Sequence, residues 1–205
     1  PHSAAAAPAK KVATGEWEML TPDKWRNYQS EGIKDLWKVN KAVLTLTGKG
    51  GGDIITKDQF DAFEFVVEYN ISKGGNSGLM FHVTEEEKKA WQTGPEIQIQ
   101  DHANGKDPQK SGWLYQLYRA EQDSAKPPGE WNELRILVTP QIHIHWLNGV
   151  KYFEYVKGSD EWNERVAASK FTKFKNFGKP TKGHICLQDH GNVVSFRNMK
   201  VRRIK

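Results

Sequence analysis

Short β-type segments separated by Gly, Asn and Asp turns follow one another through almost the whole chain. The stretch 42–47 (AVLTLT) is rich in β-branched residues and runs into the glycine turn GKGGG. In 63–69 (FEFVVEY) apolar residues fall on both faces, as in a central strand of a sandwich. Asn148-Gly149 stands between two apolar segments and is a strong hairpin signal. This rhythm is typical of an antiparallel β-protein.

Helical composition is confined to one stretch, 84–91 (TEEEKKAW), in which Thr84 is a candidate N-cap. The predicted strands, about a dozen, show no βαβ alternation. We therefore predict an all-β sandwich of two curved antiparallel sheets. Region 157–182 has no strand pattern and is predicted to be a long loop or lid.

The length of 205 residues fits one large β-domain, and composition divides the chain into two parts. Residues 1–14 are rich in Ala and Pro and lack apolar periodicity, so we predict a flexible tether that contributes little to stability. Residues 15–205 are predicted to form a single β-sandwich domain. The sequence starts at Pro1 without Met, and we expect an exported protein (periplasmic, cell-surface or secreted) whose signal has been removed.

Charge and hydrophobicity argue against two classes of partner. The net charge of +5 arises from 30 Lys and Arg scattered among 25 Asp and Glu, without a basic helix, so we expect no nucleic-acid partner. No apolar run approaches the ~18 residues of a membrane-spanning helix, so no membrane span is expected. The densest basic stretch, 170–182, is interpreted as a solvated loop. The single cysteine, Cys186, lies in an apolar segment and is predicted to be buried.

The segment Glu96-Ile97-Gln98-Ile99-Gln100 has a strict period of two. Because alternate side chains of a strand share a face, Ile97 and Ile99 are predicted to be buried. The opposite face then carries Glu96, Gln98 and Gln100, with Gln98 exposed to a cleft. Such a polar row supplies hydrogen-bond donors and acceptors for sugar hydroxyls, and an ordinary solvent-facing strand is the alternative. The pattern is similar to the paired-glutamate strand of retaining glucanases of the laminarinase and lichenase type. An amide cannot act as a general acid, so that double-displacement mechanism is not expected.

Six motifs occur in a recognisable order after the opening segment Trp17-Glu18-Met19-Leu20. They are GGNSG (74–78), EIQIQD (96–101), PGEWNE (128–133), HWLNG (145–149), GHICLQDHG (183–191) and FRN (196–198). In this order, over roughly residues 16–205, the chain resembles the 3-keto-disaccharide hydrolase domain family. The resemblance implies a concanavalin-like jelly roll, export from the cell, and chemistry on glycosides or keto-glycosides.

Most of the candidate site residues come from these motifs; His82 and Trp113 lie between them. Glu96 and His190 are predicted to be catalytic, either as a base with its orienting partner or as ligands of a divalent metal with His82 as a third. The alternative for Glu96 is a structural ion pair with Arg197. The predicted substrate contacts are Asn76, His82, Gln98, Gln100, Trp113, Gln188 and Arg197.

Three histidines need separate comment. After GGNSG the family usually reaches an arginine on the same strand, where this chain has His82. Because alternate residues of 76–82 share a face, His82 is expected to lie on the same face as Glu96. His143 and His145 lie two apart on a predicted strand, a spacing that can present two imidazoles to a metal. Next to the hairpin turn, we interpret both as surface residues.

Three functions follow from these observations. In a 3-keto-glycoside the keto group acidifies the C2 proton, so a single base can start an elimination that expels the aglycone, with water added afterwards. This chemistry suits a face with one glutamate and several histidines, and predicts a hydrolase or lyase for small (3-keto-)glycosides. The first alternative is a non-catalytic carbohydrate-binding module that uses the glutamine row and some of the eight tryptophans. The second is a sandwich with a structural or protein-interaction role.

Overall fold

A computed structural model describes residues 14–205, which form thirteen β-strands and one α-helix. The strands are β1 (Glu18–Met19), β2 (Trp25–Asn27), β3 (Trp37–Asn40), β4 (Val43–Leu46), β5 (Ile54–Thr56), β6 (Phe63–Ile71), β7 (Asn76–Val83), β8 (Glu96–Gln100), β9 (Asn132–Val138), β10 (His143–Leu147), β11 (Val150–Tyr155), β12 (His184–Leu187) and β13 (Val194–Arg203). The helix is α1 (Asp160–Ala167). The predicted tether, 1–14, lies outside the described residues except for Thr14, which forms a bridge with Ile204.

The strands pair into two antiparallel sheets. The larger sheet has eight strands in the order β11-β10-β9-β6-β13-β4-β3, with β1 paired to β13. The smaller sheet has five strands in the order β2-β5-β12-β7-β8. The hairpin predicted at Asn148-Gly149 joins β10 to β11. The prediction of an all-β sandwich of two antiparallel sheets is therefore confirmed.

The main hydrophobic core lies between the sheets. From the larger sheet, β6 contributes Phe63 and Phe65, and from the smaller sheet β8 contributes Ile97 and Ile99. All four side chains are fully buried, which removes a large apolar area from water. The predicted register of β8 is therefore correct, because a slip of one residue would turn both isoleucines outward. The outer face of the smaller sheet carries the alternate, polar residues of β8.

A β-bulge interrupts β7. The pairing of β7 with β12 shifts by one residue, which leaves Phe81 and His82 together opposite a single residue of β12. His82 has a φ of 52° and packs edge-on against Phe63 of the other sheet, so both residues of the bulge face the core. The expectation that His82 shares the face of Glu96 is therefore wrong.

The predicted helix at 84–91 does not form. Apart from a single 3-10 turn at Ala90–Gln92, the segment is a series of bends. The hydroxyl of Tyr28 donates to the backbone carbonyls of Thr84 (3.1 Å) and Glu87 (2.7 Å). These bonds to another part of the chain hold the segment in a non-helical path, which outweighs its helical composition.

The region 157–182, predicted as a loop, contains α1. Ser159 caps the helix by accepting a hydrogen bond from the backbone of Trp162, whose indole is buried. A 3-10 turn at Lys170–Lys173 follows and packs against α1. The region is therefore a packed segment with its own secondary structure. None of the helices in residues 14–205 is long and apolar enough to cross a membrane.

His143 and His145 are buried, which contradicts their interpretation as surface residues. On β10 they alternate with Ile144 and Trp146, and it is the histidines that face inward. The ring of His143 stacks on Tyr155 with a centroid separation of 5.0 Å. The outward Trp146 lies under the guanidinium of Arg135, 4.5 Å from its ring centroid. Position next to the hairpin turn therefore gave the wrong face for these residues of β10.

Candidate functional site

A small polar pocket, here called the Glu96 pocket, lies on the outer face of the smaller sheet. It has a volume of about 180 Å³. Its lining residues are Asn76, Trp91, Glu96, Gln98, Asp107, Tyr115, Lys170, Gln188 and His190. Strands β7 and β8 and the segment after β12 supply the residues that the sequence predicted, namely Asn76, Glu96, Gln98, Gln188 and His190. The other four come from loops.

The polar face of β8 is covered by the segment 107–116. The backbone N–H of Gly112 donates to the carbonyl of Gln98 (2.8 Å), and the N–H of Gln98 donates to the carbonyl of Trp113 (2.9 Å). These bonds place the segment beside β8 like an additional strand. Gln98 is consequently only 1% exposed. The prediction that Gln98 is exposed to a cleft is wrong, although its side chain does line the pocket.

The carboxyl group of Glu96 is almost completely buried, with 6% of the residue exposed. Burial raises the pKa of Glu96 to about 8, and the positive charge of Lys170 opposes part of that rise. The charge of Asp53 raises the pKa a little further. A carboxyl group that titrates close to neutral pH can both accept and return a proton during a reaction.

Several amide groups around Glu96 have unused hydrogen-bonding capacity. Both amide atoms of Gln98, Oδ1 of Asn76 and Oε1 of Gln188 are buried and have no partner among residues 14–205. Leaving a buried polar group unpaired costs about 1–3 kcal/mol, so such groups indicate a site for a polar ligand or ordered water. Amides offer donors and acceptors together, which matches the hydroxyl groups of a sugar.

Two aromatic rings and a lysine complete the pocket. Lys170 Nζ lies 4.2 Å from the ring centroid of Tyr115 and 5.1 Å from that of Trp91. The hydroxyl of Tyr115 donates to Oδ2 of Asp107 (2.8 Å), which fixes the ring. Burial lowers the pKa of Lys170, and the nearby charge of Glu96 acts in the opposite direction. The interpretation of 170–182 as a solvated loop is therefore wrong at Lys170, which reaches the pocket.

Trp91, Asp107, Tyr115 and Lys170 were missed by the sequence analysis. The surplus of tryptophan and tyrosine pointed to sugar platforms in general, but no local pattern singled out Trp91 or Tyr115. Lys170 was hidden in a basic stretch, and Asp107 lies in a segment without periodicity. All four belong to connections between strands, whose path over the sheet no spacing rule predicts.

His190 stands where the Glu96 pocket meets a larger cleft. Its exposed side chain lines both, and the cleft has a volume of about 690 Å³. The loop that carries it is fixed by Asp189, whose carboxylate accepts hydrogen bonds from the backbone of Gly50 (3.0 Å), Gly52 (2.8 Å) and Gly191 (2.8 Å). His190 is therefore held at the junction by its neighbour and is free to contact a ligand that spans both spaces.

The larger cleft is basic. Its charged lining residues are Lys34, Lys49, Lys88, Lys89, Asp53 and Asp189, with His190 at one end. The negative charge of Asp189 is already engaged by backbone N–H groups, and burial raises the pKa of Asp53 to about 6. Because its lining has four lysines and two carboxylates, the cleft carries a net positive charge.

Gln100 and Arg197, two of the predicted substrate contacts, have structural partners. Gln100 Nε2 donates to the backbone carbonyls of Asp107 (3.0 Å) and Gln109, so it anchors the segment that covers β8. Arg197 is on the larger sheet and donates to Glu68 Oε2 (2.6 Å). It does not contact the Glu96 pocket, and the alternative of a Glu96–Arg197 ion pair is excluded.

Trp113 and His82 also lie outside the Glu96 pocket. Trp113 lines a separate groove with Arg119, whose guanidinium lies 5.6 Å from the ring centroid. His82 lines another pocket because of the bulge in β7. The predicted ligand set of Glu96, His190 and His82 does not come together. Within residues 14–205, no group of three or more His, Cys, Asp or Glu side chains has the spacing of a metal site.

Comparison with known proteins identifies the family. Residues 15–202 match the 3-keto-alpha-glucoside-1,2-lyase-like domain. The chain belongs to this family. A 3-keto-disaccharide hydrolase of Bacteroides thetaiotaomicron is 32% identical to it in an alignment of 213 positions that covers 87% of this chain and 73% of the relative. The resemblance drawn from the six sequence motifs is confirmed.

Solved structures of similar proteins agree with this family membership. A proposed glycosyl hydrolase from Parabacteroides distasonis is 32% identical, with a TM-score of 0.87 over 93% of this chain and 94% of its own. A second protein of the same description and organism is 31% identical, with a TM-score of 0.72 over 92% and 99% of the two chains. The family domain in this chain therefore has the predicted fold, a jelly-roll sandwich.

Proposed function

We propose that this member of the 3-keto-alpha-glucoside-1,2-lyase-like family is a carbohydrate-active enzyme that cleaves 3-keto-glycosides in the Glu96 pocket. The observation that carries the proposal is the buried carboxyl of Glu96, raised in pKa to about 8 and surrounded by amides without partners. The names of the relatives, a 3-keto-disaccharide hydrolase and a proposed glycosyl hydrolase, support the same class of substrate.

The chemistry requires one base. The keto group at C3 of the sugar acidifies the proton on C2, and the carboxylate of Glu96 accepts that proton. The electron pair passes to the C3 oxygen as an enolate, and then forms a double bond between C1 and C2 as the bond from C1 to the leaving oxygen breaks. The leaving oxygen takes up a proton. Addition of water at C1 completes hydrolysis. The carboxyl group of Glu96, whose proton exchanges with solvent, protonates C2, and the proton released by the water replaces the one given to the leaving oxygen.

Two further residues can assist. The ammonium group of Lys170 supplies a fixed positive charge where negative charge develops on the C3 oxygen. His190, at the junction of the two spaces, is placed to give a proton to the leaving oxygen. Neither role needs the second carboxylate of a double-displacement glycosidase, which agrees with glutamines at 98 and 100.

The Glu96 pocket and the larger cleft bind different parts of the substrate. The Glu96 pocket, at about 180 Å³, suits one sugar ring, with Trp91 and Tyr115 as apolar walls and the amides of Gln98, Asn76 and Gln188 as partners of its hydroxyls. The larger cleft beyond His190 receives the leaving group. Its lysines favour a leaving group with many hydroxyls or with negative charge.

The decisive experiment compares wild type with Glu96→Gln on a panel of 3-keto-glycosides in deuterated water. We expect the wild type to release the leaving group and to incorporate deuterium at C2, and Glu96→Gln to lose about 10²–10⁴-fold in turnover. Glu133→Gln, an exposed glutamate on β9, is the matched control and keeps full activity. Wild-type turnover in Glu96→Gln, or hydrolysis without C2 exchange, overturns the proposed mechanism.

A carbohydrate-binding module without turnover is the alternative outcome of the same experiment. In that case calorimetry detects binding of the 3-keto-glycosides to the wild type, and no leaving group is released by any variant. Substitution of Trp91 by alanine then weakens binding, because stacking on the ring is lost.

We also propose that the protein acts outside the cytoplasm, as the family resemblance and the Ala- and Pro-rich composition of 1–14 suggest. Fractionation of the native cells with an antibody against the domain tests this. Recovery with cytoplasmic markers alone contradicts it.

A further inference from the structure

A second pocket lies near the opposite end of β7 from Asn76, at the edge of the core. Its volume is about 340 Å³, and its lining residues are Asp61, Ala62, His82, Thr139, Pro140, His143, Lys157 and Thr181. It shares no lining residue with the Glu96 pocket or with the larger cleft. The inference below therefore does not depend on the proposed function.

Lys157 brings a positive charge into this pocket and forms no ion pair with the acidic lining residue Asp61, which is exposed to solvent. Its Nζ donates to Nδ1 of His82 (2.8 Å) and to the carbonyl of Pro180, which uses two of its three N–H groups. Within residues 14–205 it takes part in no ion pair. Burial lowers the pKa of Lys157 to about 8, so Lys157 is still protonated in most molecules at pH 7.

The ring of His82 is fully engaged and holds Lys157 in place. Nε2 lies 2.7 Å from the carbonyl of Asp61 and must donate to it, since a carbonyl can only accept. Nδ1 is then unprotonated and accepts from Lys157. Burial lowers the pKa of His82 to about 4, which is consistent with this neutral form. His82 therefore has no nitrogen left for a ligand and serves to aim the ammonium group.

His143 lines the same pocket and has no hydrogen-bond partner on either nitrogen within the described part of the chain. It is 2% exposed and packs between Phe81 and Tyr155, with centroid separations of 5.8 and 5.0 Å. Burial lowers the pKa of His143 to about 2, so the ring is neutral and has one N–H to donate. An unpaired N–H in such surroundings costs about 1–3 kcal/mol, which indicates a partner that the protein itself does not supply.

We infer that this pocket binds a small oxyanion, held by the free N–H of Lys157 and the ring N–H of His143. A carboxylate or a phosphate group carries the negative charge that Lys157 lacks as a counter-charge, together with oxygens that accept from both donors. A metal cation is disfavoured, because the ammonium group stands beside the imidazoles. The walls at Ala62 and Pro140 leave room for the short carbon chain of an organic acid.

The test is isothermal titration calorimetry of the full chain at pH 7 with acetate, inorganic phosphate and sulfate, at constant ionic strength maintained with sodium chloride. We expect saturable binding of at least one of these anions, with one site per chain that depends on Lys157. The preferred probe distinguishes a carboxylate site from a phosphate or sulfate site. Lys157→Met should weaken binding at least tenfold, and Lys175→Met, which alters an exposed lysine outside the pocket, should leave it unchanged.

A second variant and a second measurement keep the inference open to refutation if Lys157→Met does not fold. His143→Phe keeps a flat ring between Phe81 and Tyr155 and removes both nitrogens. The variant loses the hydrogen bond from the ring N–H to the anion, so binding should also weaken about tenfold. A crystal of the wild type soaked in selenate should show anomalous density within hydrogen-bond distance of Lys157. Absence of saturable binding, binding that survives both substitutions, or selenate density only outside this pocket overturns the inference.

Discussion

The carboxyl group of Glu96 lies directly against the backbone of Gly78 on the neighbouring strand. A Cβ at position 78 would come within 3.0 Å of Cγ and Cδ of Glu96 and would overlap Oε1. Gly78 faces Gln98 in the pairing of β7 with β8, two residues along β8 from Glu96. The GGNSG motif therefore supplies the space in which the EIQIQ motif places its glutamate, and the two motifs form one structural unit.

Gly78→Ala should displace the carboxyl group of Glu96 without unfolding the protein. The new methyl group meets the end of a side chain, which can rotate away, so we expect a loss of stability of about 1–3 kcal/mol. Because a displacement of about 1 Å at a reacting group can cost 10²-fold in rate, kcat should fall by at least tenfold. Steady-state kinetics on a 3-keto-glycoside and thermal unfolding followed by circular dichroism measure the two effects.

Gly48→Ala is the matched control for this substitution. A Cβ at position 48 has no heavy atom within 4 Å, so both kcat and the melting temperature should stay close to those of the wild type. Wild-type kcat in Gly78→Ala would show that the position of the Glu96 carboxyl does not limit the reaction.

The pH dependence of the reaction should report the ionisation of Glu96. As a base, Glu96 must be deprotonated, and burial raises its pKa to about 8, so kcat/KM should rise with pH and level off above pH 8. Lys170→Met removes a positive charge that lowers this pKa, so the rising limb should move to higher pH and the rate at pH 7 should fall. Lys173→Met, an exposed change on the same 3-10 turn, is the control. A limb that stays in place in Lys170→Met contradicts the assignment of Glu96 as the base.

The floor of the Glu96 pocket could be predicted from the sequence because its pattern is local. Strict alternation in β8 separates Ile97 and Ile99 from Glu96 and Gln98, and the fold keeps this register. The walls could not be predicted in the same way. Lys170 reaches Glu96 across 74 positions of the chain, through a loop whose path depends on how α1 packs.

Misplaced histidines show a second limit of pattern analysis. The bulge in β7 adds one residue opposite β12 and turns His82 inward, and no turn residue marks it in the sequence. On β10, His143 and His145 occupy core positions, because aromatic neighbours such as Phe81 and Tyr155 accommodate a neutral imidazole. A rule that sends polar residues outward fails where rings can shield them.

Glu96→Gln should change how stability depends on pH. In the folded protein burial raises the pKa of Glu96 to about 8, whereas the unfolded chain keeps a value near 4.5. Between these values the folded state binds more protons, so this residue makes the free energy of unfolding fall as pH rises, by at most ~1.4 kcal/mol per pH unit. Urea unfolding at pH 5, 6, 7 and 8 should show the free energy of unfolding of Glu96→Gln rising relative to that of the wild type at each increase in pH. A constant difference between the two proteins would mean that Glu96 is already ionised at pH 5.

His145→Phe should act with the opposite sign. Burial lowers the pKa of His145 to about 3, from an ordinary value of 6.5, so the unfolded state binds more protons between these values. The folded state therefore loses stability as pH falls below 6.5, by at most ~1.4 kcal/mol per pH unit. Phenylalanine cannot be protonated and keeps the contact with Phe153, whose ring centroid lies 4.9 Å from that of His145.

At pH 7 this variant should be less stable than the wild type by about 1 kcal/mol, because the hydrogen bond between Nε2 of His145 and the hydroxyl of Tyr155 is lost. The difference in the free energy of unfolding should shrink and then reverse as the pH falls towards 4. Unfolding of the wild type exposes His145 to water, where it gains a proton, and this favours the unfolded state of the wild type only. Urea unfolding of both proteins at pH 7, 6, 5 and 4 measures this crossing. Parallel curves over that range would show that His145 is charged inside the folded protein, and would require a counter-charge that the aromatic cluster of Phe81, Phe153 and Tyr155 does not provide.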